Sequence, residues 1–304
     1  MNPNYSIYRI HKKMAALEKL YDLDRFIKIE NTPDQIRKYY RINNWAYHHY
    51  HSQDGFMHFR ISKNGYFTDE DIYFQPDSVS EYIKPGNVVM ELGYGHGANL
   101  LYLAHCHPDA NFIGLDLSPL KCKEIPSNVT AYTMDYNDLS RFDDNSVDVL
   151  YAFETLVHNT DKENILRQVK RIMKPGGVAI VYDYCLQENF ESYEPVIQRA
   201  VSILKGPACP MIESLDEFNT HFTNCGFQIE ESHNYIRDTL PDLKRLERSA
   251  AKIIEKPWLA KLLSWLLPDM FVVNIVIGYI VFDGGNANIG SYYKWIIRKP
   301  DSDK

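Results

Sequence analysis

The chain has 304 residues and a formal net charge of −7, from 33 Lys and Arg against 40 Asp and Glu; this is enough length for one large domain with an appended cap, folding on its own hydrophobic core. Five scattered cysteines (Cys106, Cys122, Cys185, Cys209 and Cys225) include no CxxC pair, which argues against a zinc site or a disulfide framework and fits a reducing compartment. No block of Lys and Arg is present to neutralise successive phosphates, which argues against a nucleic-acid partner.

The first twenty residues are basic in places but lack an apolar core and a small-residue cleavage site, so no secretory signal is read there and a cytoplasmic location is expected. Residues 1–80 show helical periodicity from Met14 to Phe26 and then a stretch dense in Tyr and His, and are expected to form a helical cap over the core, residues 81–304. From Val88 onward, short β-branched or apolar runs alternate with amphipathic stretches, the pattern of a parallel sheet wrapped by helices. The expected strands are Val88–Leu92, Asn111–Asp116, Val129–Thr133, Val147–Phe153 and Val178–Asp183. Between the last two, Thr160 and Glu163 have capping-box spacing ahead of Ile165, Leu166, Val169, Ile172 and Met173, and Pro175, Gly176 and Gly177 stop the helix. Ser214 with Glu217 opens a further helix carrying Phe218 and Phe222, ended by Gly226.

A sixth strand is expected within residues 226–236 and a seventh from Ser291 to Pro300, separated by an insertion at about 238–288 too long for an ordinary loop. The insertion contains Trp258, Leu259, Leu262, Leu263, Trp265, Leu266 and Leu267, and the uncharged run Met270–Phe282. That run is shorter than the roughly twenty residues a helix needs to cross a bilayer, so no transmembrane segment is expected. The insertion is expected to form a lid over the acceptor, with a core segment or one resting on a membrane surface as the other readings. The fold class expected is α/β: a doubly wound, seven-stranded, mostly parallel sheet with an N-terminal helical cap and a late helical insertion.

The central motif is Glu91-Leu92-Gly93-Tyr94-Gly95-His96-Gly97, where a strand ends and a helix begins. Glycines there permit a tight turn and let the backbone approach a bound cofactor. Gly93, Gly95 and Ala98 also fit a loose dinucleotide fingerprint, so the loop alone leaves a nicotinamide cofactor open. Nineteen residues past Gly97, Asp116 ends the second strand, where a carboxylate can accept both hydroxyls of a ribose in either cofactor.

Glu91, the Asp135-Tyr136 pair after the third strand and the Lys174–Gly177 turn before the fifth together resemble class I S-adenosylmethionine-dependent methyltransferases. The resemblance covers roughly Val88 to Tyr182, and it implies S-adenosylmethionine as cofactor on a Rossmann-like methyltransferase fold. It further implies that Glu91 and the loop glycines Gly93, Gly95 and Gly97 hold the methionine part, and that Asp116 binds the ribose. Asp135 would reach the adenine amino group, with Leu117 and Tyr136 flanking the ring. Within the class, Tyr151-Ala152-Phe153-Glu154-Thr155-Leu156-Val157-His158 is similar to the YAIEATCH segment of sterol and small-molecule methyltransferases. Tyr39-Tyr40 and Phe56-Met57-His58-Phe59 resemble the double tyrosine and the SFHF-like element of that group, although the sequence between them departs from it.

Glu154 and His158 stand just past the fourth strand, at the edge where such sheets bind ligands. Both are candidate catalytic residues: either can serve as a base, Glu154 can instead face a cation, and His158 can instead cap the next helix or be buried and hydrogen-bonded. Tyr39, Tyr40, Tyr47, His51, His58 and Trp265 are the candidate acceptor-pocket residues, with an aromatic cap packed on itself as the other reading. No metal is expected, because adjacent His48 and His49 diverge on a helix and no acidic ligand set lies near them. The function expected is methyl transfer to carbon or oxygen of a small, apolar acceptor of lipid-like, isoprenoid or aromatic character. The alternatives are an amine N-methyltransferase and a non-catalytic S-adenosylmethionine-binding regulator. Peripheral membrane contact and oligomeric state stay open.

Overall fold

The computed structural model describes residues 2–29, 32–187, 190–206 and 209–301. The chain opens with α1 (Pro3–Glu18), whose first turn is closed by the Asn2 side chain and by Pro3 at the first helical position, followed by α2 (Asp24–Ile27). The periodicity from Met14 to Phe26 therefore spans two helices rather than one, because the Asp22 side chain accepts the Asp24 N–H and starts a new turn. Next comes α3 (Pro33–Ala46), capped by Thr32, which widens into a π-turn over Tyr47–His51; α4 (Phe74–Ser80) leads to the sheet.

The core runs β1 (Val88–Leu92), α5 (Ala98–Cys106), β2 (Asn111–Asp116), β3 (Val129–Thr133), β4 (Val147–Phe153), α6 (Lys162–Ile172) and β5 (Met173–Leu186). After it come α7 (Pro195–Lys205), β6 (Glu213–Ser214), α8 (Leu215–Asn224), β7 (Gln228–Asn234) and β8 (Gly290–Arg298). The strand order is β3-β2-β1-β4-β5-β8-β7, parallel through β5 and antiparallel at β8 and β7, with β6 pairing the end of β5 off this path. The two-residue β6 is an eighth strand, too short to show a periodicity.

Two local expectations are corrected. β5 begins at Met173, and the Lys174–Gly177 turn lies inside it as an irregularity: Gly176 takes φ +72°, and pairing with β4 shifts register between Val147 and Val149. Asp161, not Thr160, caps α6, accepting the Asn164 N–H at 2.9 Å; a carboxylate one residue nearer the helix outcompetes the hydroxyl. The Ser214–Glu217 capping box of α8 forms with both of its reciprocal bonds.

The late insertion is three helices, α9 (Ile236–Ile254), α10 (Pro257–Leu266) and α11 (Asp269–Asn286). α11 holds the uncharged run and buries Val272, Val273, Val276 and Ile280, which explains its apolar character as a packed interior helix. The cap is tied to it by buried charge: Lys13 on α1 pairs with Asp283 on α11 at 2.7 Å and also with Glu247 on α9. Such a buried group of opposite charges, if one partner is removed, leaves an uncompensated ion, so cap and insertion are held as one roof. Among the described residues no helix is long and apolar enough to cross a membrane.

Candidate active site

One cavity of about 1600 Å³ opens at the carboxyl ends of β1, β2, β3, β4 and β5 and is roofed by α3, α9 and α11. On its sheet side, the chain leaves β1 through three glycines with positive φ: Gly93 (+72°), Gly95 (+54°) and Gly97 (+85°), the last opening α5. A Cβ on Gly93 would stand 2.3 Å from Thr155 Oγ1 and one on Gly95 2.7 Å from Met57 Sδ, so both conformation and space require glycine. Asp116 fixes this turn from the end of β2, its carboxylate accepting the Gly95 N–H at 2.9 Å and the Ser118 N–H at 2.7 Å. Burial raises its carboxyl to about 6 against the pull of those two bonds. A carboxylate has about four acceptor positions, so bonding capacity remains for a ligand.

Gly93, Gly95, Asp116, Leu117, Asp135 and Tyr136 all line the cavity. Asp135 accepts the Asn137 N–H, and buried Tyr136 donates to the Thr155 carbonyl at 2.9 Å, setting its ring on the cavity wall. Glu91 and Gly97 stand behind that wall and do not line it. Glu91 is buried, accepts the Tyr151 hydroxyl at 3.0 Å, bonds the Asn99 side chain, and is raised to about 8 chiefly by desolvation. Asn99 does line the cavity and also meets His58 Nε2 at 3.0 Å, so Glu91 reaches the site through Asn99.

Glu154 follows β4 with φ +52°, a left-handed conformation uncommon for a non-glycine residue and held here by its partners. Its carboxylate accepts the Phe59 N–H at 2.7 Å, the Tyr292 hydroxyl at 2.9 Å and the Tyr184 hydroxyl. Burial lifts it to about 8 although all three donors favour the ionised form. His158 ends the short turn Leu156–His158, with Nε2 2.9 Å from the Tyr40 hydroxyl and Nδ1 without a hydrogen-bond partner among the described residues. Burial, aided by Lys162, lowers it to about 4, so the imidazole is neutral near pH 7. Since Asp161 caps α6, His158 is no helix cap; it lies half-buried against Tyr40 on the cavity wall.

Tyr39, Tyr40, Tyr47, His51 and His58 line the same cavity. The Tyr39 hydroxyl bridges to Asn274 on α11 and lies 3.3 Å from the Tyr47 hydroxyl, and His51 Nε2–H donates to the His58 carbonyl at 2.7 Å. Trp265 is corrected: it does not line the cavity but stands on the outer surface of α10. The helix turns Leu263 and Leu267 inward, and Trp265, two residues from each, falls on the opposite side. Among the described residues no group of three or more His, Cys, Asp or Glu is placed to hold a metal ion.

Sequence reasoning missed Asp183, Tyr184, Tyr292 and Asn99. Buried Asp183 accepts the Val157 and Tyr184 N–H groups, each at 2.9 Å, so it fixes the turn that carries His158; burial raises it to about 7. Asp183 and Tyr184 lie in the carboxyl-terminal half of β5, so the rule that found Glu154 past β4 would have pointed to them. Tyr292 had no such signal: only the antiparallel register that pairs it with Tyr184 brings it to Glu154.

The strand order, the glycine turn between β1 and α5 and acids after β2 and β3 define the class I S-adenosylmethionine-dependent methyltransferase fold. Residues 90–181 match the family model described as a methyltransferase domain, so the chain carries such a domain. The chain is 26% identical over 169 residues to the 27-O-demethylrifamycin SV methyltransferase of Amycolatopsis mediterranei, covering 52% of this chain and 60% of that protein. It is 27% identical over 157 residues to a sterol 24-C-methyltransferase of Aspergillus fumigatus, covering 48% of this chain and 41% of that one. The matches thus span about half the length of these curated relatives. Among solved structures, the [4+2]-cyclase SpnF superposes with a TM-score of 0.68 at 17% identity, over 90% of this chain and 98% of that one, a likeness of fold alone.

Proposed function

We propose that the protein transfers a methyl group from S-adenosylmethionine to carbon or oxygen of a small, apolar metabolite. The observation that carries this reading is the single cavity that joins the glycine turn and Asp116 to a ring-lined, aliphatic pocket holding Glu154 and His158. The positive-φ glycine turn, which brings Gly93 and Gly95 backbone to the cavity wall, and the spare acceptor capacity of Asp116 fit the cofactor. When bound, S-adenosylmethionine supplies a methyl group already activated on a sulfonium.

The chain's own residues are left with geometry and a proton. In this reading Gly93 and Gly95 admit the cofactor backbone-close, Asp116 holds the ribose, and Asp135, Leu117 and Tyr136 bound the adenine. Glu91 positions Asn99, and Gly97 shapes the turn. Tyr39, Tyr40 and Tyr47 with the aliphatic side chains of α9 and α11 exclude water from the acceptor, and alignment in such a site can supply roughly 7–11 kcal/mol. Where the acceptor carries a proton, ionised Glu154 on the cavity wall is placed to take it, with His158, held through Nε2 by the Tyr40 hydroxyl, as the other candidate base on that wall. An amine acceptor is the second reading, supported by the tyrosines Tyr184 and Tyr292 gathered on the acid Glu154 at the cavity wall, where rings and a carboxylate would face a cation.

Calorimetric titration with S-adenosylmethionine, its demethylated product and nicotinamide dinucleotides tests the cofactor. Incubation with a methyl-labelled donor and a panel of sterols, isoprenoids, phenols and amines tests the acceptor. Label in a sterol, isoprenoid or phenol supports the proposal, label in an amine supports the second reading, and cofactor binding with no label transferred to any of them leaves a non-methylating role, as the cyclase shows this fold can have.

A pH dependence follows from Asp116. Its ionised form is the acceptor for ribose hydroxyls, and its carboxyl in the free protein is raised to about 6. Bonding to those hydroxyls favours the ionised form and lowers that value, so affinity is full above pH 6 and falls, by up to about tenfold per pH unit, below it. Titrations of the wild-type protein between pH 5 and 7.5 are expected to show this decline, and Asp116→Asn is expected to flatten it at a weaker affinity.

A further inference from the structure

Helix α10 is apolar on two opposite faces. Ala260 is buried, and Leu263 and Leu267 turn inward to line the cavity. Trp258, Leu262, Trp265 and Leu266, spaced i, i+4, i+7 and i+8, form an outward strip that is 68%, 42%, 81% and 57% exposed. The two tryptophans are among the most exposed large apolar side chains of the described residues. Lys252 and Lys256 are exposed just before the helix, with exposed Glu255 between them, and Lys261 is exposed beside the strip, so three lysines against one acid give a local excess of positive charge in a chain whose net charge is −7. The helix is held in place: Arg25 on α2 bonds Ser264 at 2.6 Å and pairs with Asp269 at the start of α11, 3.3 Å away.

We propose that α10 docks the protein on an anionic lipid surface, its tryptophans and leucines entering at headgroup depth with the lysines against lipid phosphates. By this arrangement an apolar acceptor passes from that surface into the cavity beside Leu263 and Leu267. The entry of an acceptor rests on the function proposed above; the docking does not. Paired Trp on one helical face, with Lys beside it and at the end where the helix begins, is what the bilayer interface selects, whereas Lys is depleted at protein interfaces. A second copy of this chain is a poorer occupant. Four outward side chains of one ten-residue helix fall well short of the roughly 20–30 residues a side of a stable dimer.

The test is flotation with vesicles of phosphatidylcholine alone and of phosphatidylcholine mixed with phosphatidylglycerol, at low and high salt. The wild-type chain is expected to float with the mixed vesicles, less with the neutral ones, with a blue shift of tryptophan emission. A Trp258→Ser, Trp265→Ser double variant is expected to lose vesicle affinity at least about tenfold. Since both side chains are exposed, its thermal midpoint and S-adenosylmethionine binding should stay at the wild-type values. Lys256→Glu with Lys261→Glu should remove the preference for the anionic vesicles. Wild-type protein that fails to float overturns the proposal, as does a double variant that floats unchanged. A wild-type dimer that the double variant turns into monomer would assign the strip to a second copy instead. Flotation without any methyl transfer would sink the proposed function and leave docking standing.

Discussion

Glu154→Gln is expected to lower turnover at least roughly hundredfold while changing S-adenosylmethionine affinity less than about threefold. The substitution preserves size and leaves an oxygen to accept the Phe59 N–H and the Tyr292 hydroxyl, so the positive-φ turn after β4 has the partners that hold it. What disappears is the ability to ionise and take a proton. In the native protein, burial keeps that carboxyl near 8 while Tyr184, Tyr292 and the Phe59 amide pull it down, and this balance places it close to neutral pH. Turnover is therefore expected to rise with pH toward 8 in the wild-type enzyme and to lose that rise in the variant. His158→Ala is expected to cost less, because its neutral ring touches Tyr40 and the cavity but lacks a charge to lose. Near-wild-type turnover of Glu154→Gln with the true acceptor would remove Glu154 as the base. Full activity of both variants would assign proton removal to solvent or to a cap residue.

For the cofactor half of the cavity, Asp116→Ala is expected to weaken S-adenosylmethionine binding at least tenfold, about 1.4 kcal/mol. Part of that loss is the proposed ribose contact, and part is the turn itself, since the amides of Gly95 and Ser118 would lose their acceptor. Asp116→Asn separates the two: it retains one oxygen for the turn but loses the charge. Gly95→Val is expected to do comparable harm by another route, with φ +54° unfavourable for a β-branched residue and a Cβ 2.7 Å from Met57 Sδ. Calorimetry on variants whose thermal unfolding shows them folded decides the matter. Unchanged affinity in Asp116→Ala would place the ribose elsewhere and weaken the assignment of the whole loop.

Much of this architecture was legible in the order of residues, because the signals are local. β1, β2, β3 and β4 begin and end where β-branched runs meet turn residues, and the Ser214–Glu217 capping box needs only four consecutive positions. The glycine turn and Asp116 are legible for the same reason, their geometry being set by adjacent residues at a strand end. Where one local signal competed with another, the outcome depended on detail that spacing does not carry, as when Asp161 displaced Thr160 as the cap of α6.

The sequence by itself determined the layered sheet, the position of the glycine turn and the acids that follow β2 and β3, since each is encoded within a few neighbouring residues. Only the tertiary structure decided the rest. Tyr292 reaches Glu154 through antiparallel pairing of β8 with β5, across more than a hundred residues of chain. Asn99 carries the buried Glu91 to the cavity, which no spacing between them would show. Trp265 and Leu263 are neighbours in an apolar run whose composition is uniform. A helix of 3.6 residues per turn, fixed in rotation by its packing on α9 and α11, sends one into the cavity and the other to the outside.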